Sequence, residues 1–165
     1  MTTTALNINL SVTPKGTSVA NGVNFAFSAG SGAPSGVVSA DGTVDLSKAY
    51  PAGTSVTLAY QLTTKAITFT AGPLQGTYDL NFYSSPANGA KDAIWIALYG
   101  QNPGVYNGTE FVFSPNAIGP GQQSLSVLDN NNDGNTYAYC LGISLQGTTQ
   151  VFRDDPRIVN HTQNK

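Results

Sequence analysis

Apolar and polar residues alternate along most of this chain, which is the period of a β-strand with one buried face. The rhythm is cleanest toward the C-terminal end. There Tyr137, Tyr139, Leu141, Ile143 and Leu145 take every second position, and Ala138, Cys140, Gly142 and Ser144 fill the gaps. Upstream, Leu125 and Val127 alternate with Ser124 and Ser126, so Asp129 to Asn135 is expected to connect a β-hairpin whose apolar face earlier strands cover.

The same pattern starts near the N-terminus, with Leu6, Ile8, Leu10 and Val12, and returns in Val23, Phe25 and Phe27. Val37-Val38 and Val44 to Leu46 flank Asp41-Gly42, a pair suited to a tight turn because glycine accepts positive φ. Val56, Leu58, Tyr60 and Leu62 predict another strand, continued by Ile67 and Phe69, and Tyr78 to Tyr83 predict the next. In Ala93 to Tyr99 both faces carry apolar side chains, which predicts a central strand. Glu110 to Phe113 and Ile158-Val159 complete the set, the last as an edge strand, with Gly- and Pro-rich loops between.

No window holds apolar residues at helical spacing over three turns, so helix is expected only as single turns. Many short strands spaced by turns predict an all-β, single-domain antiparallel two-sheet sandwich, with an immunoglobulin-like Greek key as its topology and a jelly roll as the alternative. The domain is drawn over residues 1–160, with 161–165, including His161, as a C-terminal tail.

Composition narrows the function. Charged residues are 10% of the 165, against roughly 25% in an average soluble domain. The seven basic residues are scattered and the net charge is -2, which argues against a phosphate-tracking surface and so against nucleic acid. The N-terminal stretch lacks both a basic start and a continuous apolar core, and no run approaches a membrane span. The chain therefore reads as soluble, either cytoplasmic or with a leader already removed. Its one cysteine, Cys140, forms no intrachain disulfide and is expected to be packed among small residues.

Candidate chemistry is sparse. Asp129-Asn-Asn-Asn-Asp-Gly134 matches the start of a calcium loop, in which Asp129, Asn131 and Asp133 would turn oxygens onto the ion and Gly134 would permit the bend. The twelfth position is Cys140 in a strand, so an EF-hand is excluded. The competing explanation is a plain connection, where Asn, Asp and Gly tolerate left-handed backbone. Arg153-Asp154-Asp155-Pro156-Arg157 reads as a turn before the last strand. A sole histidine in the tail cannot hold a general base in a triad, and one His with one Cys cannot make a zinc site. Aromatic rings within 78–106, of which Tyr83, Trp95, Tyr99 and Tyr106 are the ligand candidates, would stack on sugars if they share an outer face.

Leu125-Ser-Val-Leu-Asp129, Asp133-Gly134, Tyr137-x-Tyr139 and Asp155-Pro156-Arg-Ile-Val-Asn160 resemble the DP-EP family of small bacterial proteins, and more distantly the bacterial inclusion-body proteins. The resemblance covers the C-terminal residues and implies an antiparallel β-sandwich with no established enzyme activity, so it transfers no catalytic residues. The expectation is a non-catalytic binding or structural protein, open to self-association as a homo-oligomer through edge strands. Its alternative is a calcium-assisted carbohydrate-binding module.

Overall fold

A computed structural model describes residues 3–154 and 156–160, so Asp155 and the tail with His161 lie outside the described residues. In chain order the strands are β1 (Thr4–Pro14), β2 (Val23–Ala29), β3 (Val44–Asp45), β4 (Val56–Leu62), β5 (Ala66–Phe69), β6 (Gly76–Phe82), β7 (Ile94–Leu98), β8 (Phe111–Val112), β9 (Ser124–Asp129), β10 (Thr136–Leu145), β11 (Val151–Asp154) and β12 (Arg157–Val159). Helix among the described residues is limited to single 3-10 turns, such as Ala90–Asp92 and Pro120–Gln122, and none is long and apolar enough to cross a membrane.

Two sheets face each other. The first runs β2-β1-β4-β9-β8; the second has β10 at its centre, with β3, β12 and β11 toward one side and β7, β6 and β5 toward the other. Leu6, Ile8 and Leu10 of β1, Leu58, Tyr60 and Leu62 of β4, and Leu125 and Val127 of β9 all point inward and are buried. Tyr139, Leu141 and Ile143 of β10 meet them at 0% exposure, and the Tyr60 and Tyr139 rings lie 5.9 Å apart across the interface. Each such side chain contributes about 1.5–3 kcal/mol by leaving water.

The sheets are mixed, where the turn-spaced strands predict an entirely antiparallel sandwich. β1 runs parallel to β4 and β3 runs parallel to β12, while the remaining strand pairs are antiparallel. Apolar alternation specifies a buried face but carries no information on strand direction.

Ser124 to Leu145 is not a hairpin. β9 pairs with β4 and β8 in the first sheet, and β10 belongs to the second, so residues 130–135 carry the chain from one sheet to the other. A similar switch occurs at Thr63–Lys65, between β4 in the first sheet and β5 in the second. β7 is likewise less central than its composition suggests. It pairs along its length with β10 and reaches Gly104 on its other side through a single bridge. Its second apolar face is explained by contacts of Trp95 with the 84–92 loop and Arg153.

The Asp41-Gly42 turn forms as expected, with Gly42 at φ 85 and its N–H donating to the Ser39 carbonyl at 2.9 Å. The Tyr139 hydroxyl donates to the Gly42 carbonyl at 2.7 Å, so the turn is tied to the central strand of the second sheet. A Cβ on Gly42 would stand 2.7 Å from both Phe27 and Pro156. Gly42→Ala therefore combines unfavourable backbone with overpacking and is expected to cost about 1–3 kcal/mol, read as a lower midpoint in urea denaturation with an unchanged slope.

Candidate functional site

The outward positions of three adjacent strands build a groove of about 430 Å³. Asn7 and Asn9 alternate with the buried Leu6, Ile8 and Leu10 of β1; Gln61 faces out from β4, and Ser124 and Ser126 from β9. Asn116 comes from the 114–119 loop, which is held against β9 by the Ser126 N–H donating to the Ala117 carbonyl at 2.7 Å and the Gly119 N–H donating to the Ser124 carbonyl at 3.0 Å. A Cβ on Gly119 would displace the Ser124 hydroxyl from its present rotamer.

Two of the groove amides are oriented by the fold. Asn7 Nδ2 donates to the Ser31 carbonyl at 2.8 Å, and Gln61 Nε2 donates to the Gln123 carbonyl at 3.0 Å. Their rotamers are set before a ligand arrives, which lowers the ordering cost of binding. The lining contains amides, hydroxyls and apolar surface from residues such as Ala59, Ala117 and Leu125, with no Asp, Glu, Lys, Arg or His among its described residues.

The aromatic candidates do not form one platform. Tyr106 is in the core, edge-on to Phe111 at 5.2 Å, and its hydroxyl accepts the Glu110 N–H at 3.0 Å. Tyr99 is exposed at the end of β7. Tyr83 and Trp95 are brought together, but around Arg153: its guanidinium lies 3.5 Å over the Trp95 ring and 5.8 Å from Tyr83. Arg153 Nη2 donates to the Asp92 carbonyl at 3.0 Å, and Trp95 Nε1 donates to Asp92 Oδ1 at 2.9 Å. Gly142 leaves space for the guanidinium, since a Cβ would meet Arg153 Nη1 at 2.9 Å. One face of Trp95 is thus occupied by the chain's own cation. Sequence reasoning misses the place of Arg153 between the rings because they are distant in the chain.

The calcium-loop candidates are split. Asp129 and Asn131 are fully buried, whereas Asp133 is exposed. Asp129 Oδ1 accepts the Asn131 N–H at 2.8 Å, and Asn131 adopts a positive φ of 49 that turns the chain between sheets. Asp133 instead accepts the Asn135 N–H at 2.9 Å and a short hydrogen bond from the Tyr137 hydroxyl. Burial acts to raise Asp133, but the bonds from Tyr137 and Asn135 outweigh it and hold the carboxyl below its ordinary range.

Asp129 has partners from elsewhere. Glu110, next to β8, is 5% exposed, and its Oε1 accepts the Asn132 N–H at 3.0 Å and a hydrogen bond from Asn160 Nδ2 at 2.9 Å. Asn160 Nδ2 also donates to Asp129 Oδ1 at 3.1 Å. Neither acid has a Lys or Arg partner among the described residues. Burial pushes Asp129 up to about 8; the Asn131 amide opposes the rise, and the charge and hydrogen bonding of Glu110 add to it. The signal was present in the chain, because Leu125, Val127 and Asp129 share one period, as do Ile158 and Asn160. No group of three or more His, Cys, Asp or Glu side chains among the described residues converges as a metal-holding cluster.

The raised carboxyl makes stability depend on pH. Between its ordinary value near 3.8 and about 8, folded Asp129 holds a proton that the unfolded chain has released, so the stabilisation is present in acid and lost as pH rises through that window. In chelator-containing buffer, denaturant midpoints are expected to fall across this range. Asp129→Asn, which keeps the shape without the titration, is expected to flatten the fall; an unchanged slope in the variant contradicts the assignment.

Comparison with protein-family models and with curated protein sequences gives no match to this chain.

Proposed function

We propose that the protein is a non-catalytic binding module that takes a neutral, hydroxyl-rich ligand, such as an oligosaccharide, in the groove across β1, β4 and β9. The observation that carries this reading is the groove's lining of oriented amides and hydroxyls without a charged side chain. Sugar hydroxyls both donate and accept, and side-chain amides and serines do the same, so a neutral polyol can match such a surface where an anion or a cation would leave its charge unpaired. The rings at Tyr83 and Trp95 do not enter this site, and the reading needs no metal. Isothermal titration against a panel of neutral oligosaccharides is expected to find a binder. Asn9→Ala and Gln61→Ala would each weaken it by about fivefold, the worth of one net hydrogen bond. Absence of any binder, or variants that bind as tightly as the parent, contradicts the proposal.

Self-association is a second reading, favoured by one feature. β2 lies at the edge of the first sheet, where the Phe27 N–H is taken by the Ala40 carbonyl at 3.2 Å, and its sequence, Val-Asn-Phe-Ala-Phe-Ser-Ala, has neither charge nor proline to discourage pairing of the rest with another chain. Light scattering over a dilution series is expected to show a mass that falls on dilution, and Phe25→Lys, at a half-buried position of this strand, is expected to shift it to monomer. A concentration-independent monomer mass removes this reading and leaves the groove proposal standing.

A further inference from the structure

The groove does not end at Ser126. A second hollow of about 400 Å³ adjoins it, lined by Thr3, Thr57, Val112, Ser114, Ser126 and Leu128. Ser126 borders both, and the 114–119 loop supplies a wall residue to each, Asn116 to the first and Ser114 to the second.

Strand register orders this outer face into three rows. Asn9, Gln61 and Ser124 stand side by side across β1, β4 and β9, and Asn7, Ala59 and Ser126 form the next row. Ala5, Thr57 and Leu128 form the third, which Val112 of β8 extends. Successive rows are two residues apart along the strands, so the first and third lie about 13 Å apart. That distance exceeds the length of one sugar ring.

The chemistry changes along the face. The first two rows offer amides and hydroxyls, whereas the third is largely aliphatic, with Val112 47% exposed at its end and Leu128 half-buried beside it. Thr57 and Ser114 keep hydroxyls at the border of that row. A ligand confined to the first hollow leaves the aliphatic row in water; one that continues along the strands covers it, and binds more tightly if the group arriving there is apolar. Branched aliphatic side chains suit a methyl group, while a stacked sugar face calls for aromatic rings. An N-acetyl substituent carries such a methyl beside an amide N–H and C=O, which neighbouring hydroxyls can pair.

We propose that the ligand is a linear, neutral, N-acetylated oligosaccharide lying along β4 and β9, an inference that rests on the oligosaccharide reading of the groove. One residue is held among Asn7, Asn9 and Gln61, and the acetyl methyl of a later residue is seated on Leu128 and Val112.

The test is isothermal titration of the whole chain with the monomer, dimer and tetramer of N-acetylglucosamine and with glucose oligomers of the same lengths. The N-acetylated tetramer is expected to bind about tenfold more tightly than its dimer, and the glucose series to gain less with length. Val112→Ser, at an exposed position that does not threaten folding, is expected to remove the length gain, while Gln61→Ala weakens dimer and tetramer alike. Affinity that is flat with length, a tetramer unaffected by Val112→Ser, or equal length gains in the two series overturns this inference and leaves the groove reading standing. Loss of all binding in both series also overturns it, and the wider panel of neutral oligosaccharides then decides separately whether the groove reading survives.

Discussion

The passage of the chain from one sheet to the other after Asp129 is the constraint on which the rest of this structure depends. Because β9 stays with β4, its outward serines stand beside Asn9 and Gln61 and complete a polar groove. Because β10 lies in the opposite sheet, its tyrosines and leucines can close over the apolar face that β4 and β9 present. A local hairpin would satisfy the same alternation, yet it would leave Asp129 in a solvated turn and the first sheet without its fourth strand. Burial of Asp129 and Asn131, and the Gly53 N–H bonded to the Asn131 carbonyl at 2.8 Å, show how the crossing is fixed at its start.

The two faces of the first sheet therefore answer to different physics. Inward residues are selected for packing, with large gains from burial and little tolerance of polarity. Outward residues are free of that demand, and where β1, β4 and β9 line the groove they include Asn7, Asn9, Gln61, Ser124 and Ser126. A surface so poor in charge does not steer ligands over long distances, which suits recognition of a neutral partner by close hydrogen bonding. The Trp95 and Arg153 stack lies on the other sheet, where it fastens the 84–92 loop through Asp92.

Much of the fold was legible because strand period needs only local residues. The Leu6, Ile8 and Leu10 positions of β1, the β4 alternation, the Asp41-Gly42 turn and the ten residues of β10 were all readable one segment at a time. What local rhythm cannot encode is which sheet a strand joins and in which direction, so the β9–β10 relation and the parallel β1–β4 pair were invisible. The candidate site was less legible still. Asn7, Gln61 and Ser126 are ordinary polar residues until three strands align them, and Glu110 is paired with Asp129 only by the fold. Tyr83 and Trp95 stand out in the sequence as candidate rings, but neither their meeting nor Arg153 between them is readable there.

The most direct test of the crossing is a map of cross-strand proton contacts by nuclear magnetic resonance. The structure predicts contacts between Leu58 and Val127, and between Cys140 and Trp95, with none linking Val127 to Tyr139 as backbone partners. Backbone contacts pairing β9 directly with β10 would contradict it, and with it the groove and the buried acid cluster.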